Sequence, residues 1–271
     1  MKTTLLLILS LLPFSSHAGI AVFVHGYQSS GEIWHSSQVF KPLITADWKD
    51  AGSFNYRARQ IVGPNLRAKG DKLLYTVNLP SNAPILFQVG FLHAVIQSIK
   101  QFSPEEAISL IGHSAGGIVA RAVMVTHPEH DVSQLISIAT PNLGTSAAVA
   151  GSLLAGSPVG IFARMIGEKN LSRSGQLLSD LAPPQANNFL GWLNSQPHPA
   201  ADYIAIIRSE KGLLKGDSLI SPSSQDLRNV WALQGQRVES FWSTGSHRLA
   251  TQDGDILATI LLRTKPNETT E

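Results

Sequence analysis

Short runs of β-branched and other apolar residues recur along the chain, and they limit its fold more than any other feature. Residues 20–24 read IAVFV and residues 107–112 read AISLIG, with no charged residue in either run. A continuous apolar run of this length is typical of a strand that is buried on both faces of a sheet. Further strands are predicted at residues 72–80, 135–140, 203–209 and 238–243.

Segments with helical periodicity separate these runs. Residues 85–102 carry apolar side chains three or four positions apart, as the buried face of an amphipathic helix does. A second helical segment, GGIVARAVMVTH, spans residues 116–127. Strands that alternate with helices predict an α/β protein, with a mostly parallel, doubly wound sheet flanked by helices on both faces.

The composition fits one large domain. The 271 residues are 43% hydrophobic, and no linker rich in proline and serine divides them. The formal charge is +2 and the basic residues are scattered, which argues against nucleic-acid binding. The chain contains no cysteine, so disulfides, thiol catalysis and lipidation of a cysteine are excluded.

The first 18 residues have the layout of a secretory signal peptide. Lys2 precedes an apolar run over residues 5–14, and small residues stand at Ser16 and Ala18. Cleavage after Ala18 would leave a domain at residues 19–271, in the periplasm or outside the cell. The apolar run is short for a membrane anchor, and no later stretch is long and apolar enough to span a bilayer. We therefore expect no transmembrane segment in the mature chain.

Two regions are longer than a simple connection requires. In the polar residues 28–71 we predict one helix, followed by an irregular excursion or an extra hairpin. Residues 146–200 lie between two predicted strands and include the segments LLSDL and FLGWL. We interpret them as two or three amphipathic helices that form a cap over the carboxyl edge of the sheet.

A serine between glycines connects the strand at 107–112 to the following helix, in the sequence Gly112-His113-Ser114-Ala115-Gly116. The bare pattern G-x-S-x-G also arises by chance, and the alternative is an ordinary strand-to-helix turn. A strand before the serine and a helix after it are the context of a nucleophile elbow, a strained turn that needs small flanking residues. The helix dipole would also favour an oxyanion at that point. We predict that Ser114 is a nucleophile.

A serine nucleophile needs a base, and in this architecture the base comes last in the chain order. Four histidines follow Ser114, and only His247 follows the penultimate strand. It lies in the polar loop STGSHRLA, so we predict that it is the base. His127 and His130 stand at the end of the helix after Ser114 and are interpreted as surface or capping residues.

The acid that orients the base should follow the strand at 203–209. Asp217 lies in a Gly-Asp-Ser turn before an apolar pair, and it is the preferred candidate. Glu210 is nearer the strand end and is the main alternative. Asp202 precedes the strand and Asp226 lies further along the chain, as expected of ordinary solvated carboxylates.

The oxyanion hole needs two backbone N–H donors. Ala115, directly after the nucleophile, is expected to supply one. The other is expected from the loop after the first strand, where Gly26 lets the backbone approach the substrate and Tyr27 follows it, with Gln28 as the second choice. His25 is interpreted as a packing or hydrogen-bonding residue rather than a catalytic base.

Four stretches together resemble the secreted bacterial lipases of the α/β-hydrolase superfamily, and they are also similar to the lipase-like group that includes the GPI inositol-deacylases. They are VFVHGYQSSGEIW, LIGHSAGGIVAR, IATPNLGT and GDSLISPSSQ. The resemblance covers most of residues 20–250 in order. It implies an α/β-hydrolase fold in which Ser114, Asp217 and His247 form the catalytic triad. The first two antiparallel strands of the fullest form of the fold are expected to be absent.

These residues predict an exported serine hydrolase that cleaves carboxylic esters through an acyl-enzyme intermediate. The apolar cap favours lipid-like esters and a transient contact with a lipid interface. A thioesterase, amidase or peptidase would use the same triad, and a non-catalytic binding protein would keep only the fold. No metal or cofactor is assigned, because Asp253-Gly254-Asp255 is only vaguely similar to a lipase calcium site and lacks EF-hand spacing.

Overall fold

The structure is a computed structural model that describes residues 19–57, 60–64, 72–145, 168–210, 217 and 219–263. The predicted signal peptide at residues 1–18 and the first part of the predicted cap, residues 146–167, lie outside the described residues. In the part of the chain that is described, no helix is both long and apolar enough to cross a membrane.

Eight strands form one sheet. Its spatial order is β3-β2-β4-β1-β5-β6-β7-β8, and all neighbouring strands are parallel except β2 and β3. The strands are β1 (Ile20–Val24), β2 (Lys49–Arg57), β3 (Gln60–Val62), β4 (Leu73–Asn78), β5 (Ile108–His113), β6 (Val132–Ile138), β7 (Asp202–Ser209) and β8 (Val238–Thr244).

Helices cover both faces of the sheet, as the alternating pattern predicted. In the described residues they are α1 (Ile33–Ser36), α2 (Phe40–Thr45), α3 (Ile85–Phe102), α4 (Ala115–Thr126), α5 (Glu168–Asp180), α6 (Phe189–Leu193), α7 (Pro222–Gln225) and α8 (Thr251–Leu261).

The side chains of β1 show how the sheet divides the core. Val22 and Val24 belong to the apolar cluster with α3 and α4, whereas Ala21 and Phe23 belong to the cluster with α1, α2 and α8. Successive side chains of a strand point to opposite faces, so a strand covered on both faces must be apolar throughout. This is the physical reason why the continuous apolar runs predicted the central strands.

The region predicted as one helix and an excursion contains two short helices, α1 and α2, and an added strand pair. β2 lies parallel to β4, and β3 pairs antiparallel with β2 at the edge of the sheet. Among the described strands, β1 is the first in the chain and lies in the interior of the sheet. The β2–β3 hairpin, inserted after β1, therefore occupies the edge beside β4.

The helices after β6 pack against the start of α3 and against α4. The carboxylate of Asp180, the last residue of α5, accepts a hydrogen bond from the Ile85 N–H at the start of α3 (2.9 Å). Leu177 of α5 and Leu190 and Leu193 of α6 are buried in the cluster with α3 and α4. Whether residues 146–200 together cap the site stays a prediction.

Candidate active site

Ser114 stands in the turn between β5 and α4, at the carboxyl edge of the sheet. Its backbone has φ 53° and ψ −128°, a conformation that is costly for a residue with a side chain. The Ser114 N–H donates to the carbonyl of Ile138 at the end of β6 (2.9 Å), and its own carbonyl accepts from Gly117 (3.0 Å). Neighbouring elements thus hold the strained turn in place.

The small residues around Ser114 allow the chain to pack tightly. A Cβ atom on Gly116 would lie 2.4 Å from the carbonyl oxygens of both Val24 and His25, so α4 can start directly behind β1 only with glycine there. Gly112 lies in β5 against the backbone of Gly117. Both flanking glycines of the motif are therefore required by close backbone contacts.

His247 connects the serine to a carboxylate. Its Nε2 lies 2.9 Å from Ser114 Oγ, and its Nδ1 lies 2.6 Å from Asp217 Oδ2. Because a carboxylate accepts hydrogen bonds, the ring carries its proton on Nδ1. Nε2 then has a lone pair directed at the serine hydroxyl. The His247 side chain is 18% exposed, so the imidazole is accessible from solvent.

Asp217 is fully buried, and its hydrogen bonds fix the orientation of its carboxylate. Oδ1 accepts the backbone N–H groups of Leu219 (3.1 Å) and Ile220 (2.8 Å), which leaves Oδ2 for His247. Gln225 joins this turn to the end of β7, because its side-chain amide donates to the Ile220 carbonyl and accepts the Arg208 N–H. The turn that holds Asp217 is thus attached to β7 of the sheet.

The other candidate acids have different surroundings. Glu210 is exposed at the end of β7. Asp202 begins β7, at the opposite edge of the sheet, and lies 3.5 Å from Arg237. Asp226 accepts hydrogen bonds from the Arg228 guanidinium and the Ser240 hydroxyl. Of the four carboxylates weighed from the sequence, Asp217 is the one that the structure brings to His247.

The two predicted donors, the N–H groups of Ala115 and Tyr27, belong to the start of α4 and to the loop after β1. Ala115 is the first residue of α4, so its N–H has no acceptor within the helix. The loop after β1 passes close by: a Cβ on Gly26 would be 3.0 Å from the Ser114 Cβ, and Tyr27 follows directly. Gln28 has φ 51°, and its side-chain amide donates to the Tyr27 hydroxyl (3.2 Å).

His25 is buried and ties this loop to β4. Its Nδ1 contacts the Gly26 carbonyl (2.9 Å), and its Nε2 accepts the N–H of Leu79 (3.1 Å). These partners require a neutral ring with the proton on Nδ1. Burial lowers the pKa of His25, so the ring stays neutral at neutral pH. It is a hydrogen-bonding residue of the loop, in agreement with its sequence interpretation.

His113 makes a contact that sequence reasoning missed. Its Nε2 donates to the backbone carbonyl of His247 (2.8 Å), so the last residue of β5 holds the loop that carries the base. Burial, with a smaller effect of the His247 charge, lowers the pKa of His113 to about 3. The ring therefore stays an uncharged donor. The one sequence feature that indicated a role for His113 is its position directly before Ser114 in the motif.

A buried ion pair supports the same loop from the other side. The Arg208 guanidinium at the end of β7 donates to the Asp253 carboxylate, and both side chains are buried. The same carboxylate accepts the Ala250 N–H (2.8 Å) at the start of α8. Asp253 is thus the partner of a buried arginine. The sequence feature that could have indicated this ion pair is the arginine within the apolar run YIAIIRS.

The comparisons with known proteins bear on the fold. A family model described as the PGAP1-like alpha/beta domain matches residues 82–155. Among solved structures, the product of the gene lin2722 from Listeria innocua matches with a TM-score of 0.63 at 12% identity, covering 92% of this chain and 96% of that one. The mature form of Bacillus licheniformis lipase BlEst2 matches with a TM-score of 0.56 at 16% identity, covering 89% of each chain. The chain has the α/β-hydrolase fold.

A third solved structure with this fold is the metagenomic carboxyl esterase MGS0156, with a TM-score of 0.55 at 11% identity, covering 91% of this chain and 76% of that one. A search of curated protein sequences finds no match. At these identities the similarity establishes the α/β-hydrolase fold, and the reaction has to be argued from the site itself.

Proposed function

We propose that this chain is a serine hydrolase that cleaves carboxylic esters, with Ser114 as nucleophile, His247 as general base and Asp217 as the residue that orients it. One observation carries the proposal. The continuous contact from Asp217 Oδ2 through the His247 ring to Ser114 Oγ has the hydrogen-bond lengths that proton transfer requires, 2.6 and 2.9 Å.

The reaction follows from the tautomer of His247. Nε2 takes the proton of the Ser114 hydroxyl while Oγ attacks the ester carbonyl, and Asp217 stabilises the imidazolium that forms. The protonated Nε2 then gives its proton to the departing alcohol as the C–O bond breaks. Water enters, loses a proton to His247 and attacks the acyl-enzyme. As the bond to Ser114 Oγ breaks, His247 returns that proton to Oγ, and the carboxylic acid is released.

The negative charge of the tetrahedral intermediate is assigned to the N–H groups of Ala115 and Tyr27. The N–H of Ala115 is supported by the start of α4, whose dipole favours an anion at that position. Gly26 supports the assignment of Tyr27, because its lack of a side chain brings the loop beside Ser114. His25 and His113 contribute by holding this loop and the His247 loop, respectively.

We further propose that the acyl group is lipid-like. Apolar side chains lie at the carboxyl edge of the sheet and form the apolar edge surface: Tyr56, Leu86 and Phe87, which are exposed, and Phe91, which is partly buried. Leu86 and Phe87, in the first turn of α3, are 54% and 55% exposed. The Phe91 ring lies between Tyr56 (4.2 Å between centroids) and Phe87 (5.2 Å).

The position of this surface fits contact with an apolar substrate. β2, which carries Tyr56, is three strands away from β5, which leads to Ser114. At about 4.8 Å per strand, the surface begins roughly 14 Å from the serine along the same edge. Contiguous exposed apolar groups mark contact sites for apolar partners, so we propose a transient contact with a lipid interface there.

Export is part of the proposal as well. The supporting observation is the sequence of residues 1–18, with a basic start, an apolar run and small residues before Ala18. The first described strand begins at Ile20, so cleavage after Ala18 would leave every described helix and strand intact.

The test is hydrolysis of chromogenic esters of increasing acyl-chain length, with Ser114→Ala as the control. We expect activity that is lost in the variant and that rises with chain length and at a lipid–water interface. Absence of activity, or equal activity in both proteins, would overturn the catalytic proposal. A maximum at short chains without interfacial activation would overturn the lipid-like substrate, and faster turnover of matched thioesters or amides would redefine the reaction.

A further inference from the structure

A cluster of histidines lies at the end of α4 that is remote from Ser114. His93 projects from α3, His127 follows α4, and Glu129 and His130 belong to the 3-10 turn Pro128–His130. A ring nitrogen of His93, a ring nitrogen of His127 and a carboxylate oxygen of Glu129 all lie within 4.8 Å of one another. We call these three residues the His-Glu cluster. The proposed hydrolysis does not use any of them.

The contacts within the cluster are close. His127 Nδ1 lies 3.0 Å from Glu129 Oε1, and the rings of His93 and His127 stack with 3.8 Å between their centroids. His93 Nδ1 lies 2.9 Å from His130 Nε2, and His130 is buried. That hydrogen bond fixes the orientation of the His93 ring. Glu129 and His127 remain accessible, with side chains that are 60% and 30% exposed.

Two imidazoles and a carboxylate form a ligand set that suits Zn²⁺. Ligand atoms stand about 2.0–2.2 Å from a zinc ion, so neighbouring ligand atoms of a tetrahedral site lie roughly 3.3 Å apart. His127 Nδ1 and Glu129 Oε1 already have about that spacing, at 3.0 Å, and the stacked ring of His93 would have to turn toward them. The His93 and His127 rings stack, and two stacked rings cannot both carry a positive charge at low cost. Neutral imidazole is the form that binds a metal.

We propose that His93, His127 and Glu129 bind a single Zn²⁺ ion, with water from the solvent as the fourth ligand. His130 is the positioning residue, because a ligating histidine is usually oriented by a hydrogen bond to its other ring nitrogen. The ion would link α3 to the end of α4. Since α4 has 12 residues, the site lies about 18 Å along the helix from Ser114, so the ion stabilises the fold and leaves the hydrolytic step unchanged.

The experiment is a calorimetric titration of Zn²⁺ into the metal-free mature chain, prepared without a polyhistidine tag. We expect one ion per chain, and a fall in affinity of at least about tenfold for His127→Ala and for Glu129→Gln. Glu129 is exposed, so its variant should fold normally. Zn²⁺ should also raise the midpoint of thermal unfolding of the parent chain and have much less effect on either variant. Mg²⁺, which prefers oxygen ligands, should not compete.

Two control variants separate this site from other histidines. His35 also contacts carboxylates, but through different ring nitrogens, Nδ1 toward Glu32 and Nε2 toward Asp50, so one ion cannot bind all three groups. His35→Ala and His247→Ala should therefore keep the full affinity for Zn²⁺. Unchanged affinity in His127→Ala, or an equal loss in either control, would overturn the proposal. The readouts do not depend on ester hydrolysis, so the two proposals fail separately.

Discussion

At each end of α4 a histidine contacts a carboxylate, and the surroundings of the two carboxylates differ. Near its first residue, His247 contacts Asp217, which is fully buried and whose second oxygen accepts two backbone N–H groups. Beyond its last residue, His127 contacts Glu129, which is largely exposed and faces a second imidazole. A buried, fixed carboxylate orients a histidine toward a hydroxyl. An exposed carboxylate beside two imidazoles instead offers ligands to a metal ion.

The largest effect is expected from removing the groups that react. Ser114→Ala or His247→Ala should lower kcat/KM on the order of 10⁶-fold, because nucleophile and base act as a unit. Steady-state kinetics with a chromogenic ester measures this loss, and Zn²⁺ affinity should not change. A variant that keeps a tenth of the parent rate would contradict the assigned roles.

The same substitution type at the two carboxylates tests the comparison directly. Asp217→Asn should lower kcat by about 10⁴-fold, since the amide would favour the wrong tautomer of His247. Glu129→Gln should leave kcat unchanged and weaken Zn²⁺ binding. Steady-state kinetics measures kcat and calorimetry measures Zn²⁺ affinity for both variants. If the two variants changed kcat and Zn²⁺ affinity to the same extent, the proposed difference between the two carboxylates would be wrong.

Acid should destabilise the metal-free protein through the buried histidines at both ends of α4. The pKa of His113 is lowered to about 3 and that of His130 to about 4, mainly by burial in each case. The unfolded chain, with histidine pKa values near 6.5, then binds more protons below that pH. Above pH 6.5 the two neutral histidines do not reduce the free energy of unfolding. As the pH falls from 6.5 toward 4, the free energy of unfolding decreases by about 1.4 kcal/mol per pH unit for each histidine.

Urea unfolding in EDTA at several pH values between 4 and 7 measures that slope. His113→Phe and His130→Phe should each flatten it, because each removes one group that takes up a proton on unfolding. A slope that neither substitution changes would show that other groups control the acid transition.

His113→Phe should also affect turnover, at a smaller scale. The variant leaves the His247 carbonyl without its donor, and an unpaired buried group costs about 1–3 kcal/mol. We expect kcat to fall about fivefold with KM unchanged, if about half of that cost, about 1 kcal/mol, appears as misplacement of the His247 ring. His113→Gln, which can donate from its amide, should recover part of the rate. An equal loss in both variants would indicate a packing effect.

The smallest effect is expected at the apolar edge surface. Phe87→Ser should lower the rate on emulsified long-chain esters by a few-fold, since partial burial of one aromatic side chain contributes about 1 kcal/mol. The rate on soluble short-chain esters should stay the same. The matched control is Phe102→Ser, at the far end of α3, which is equally exposed at 56%. A similar loss in both variants would argue against interfacial contact at this edge.

The central strands and the surroundings of Ser114 could be predicted from local sequence. β1 was predicted with its observed bounds, and β4, β5, β7 and β8 differ from prediction by a few residues at most. Burial on both faces demands continuous apolar residues, so these strands leave a clear pattern. The region after β1 was harder, because β2 contains polar residues and lies next to the edge strand β3, and two short helices replace the single predicted one.

The roles of the more distant residues required the fold. The position of Asp217 in the chain made it the preferred candidate among several carboxylates. Its contact with His247, however, depends on the packing of the loop after β7 against the loop after β8. The bond from His113 to the His247 carbonyl joins residues 134 positions apart. His130, interpreted as a surface or capping residue, is in fact buried beside His93. No periodicity encodes such contacts.

By itself, then, the sequence determined the class of fold, the strained serine turn and the order of the candidate nucleophile, acid and base. These features depend on local spacing, on burial patterns and on the need for glycine where backbones touch. The tertiary structure alone decided which carboxylate meets the base, which ring nitrogen of His25, His113 and His247 is protonated, and that His93 joins His127 and Glu129. Those outcomes depend on hydrogen bonds between distant segments, and such bonds exist only after the segments have packed together.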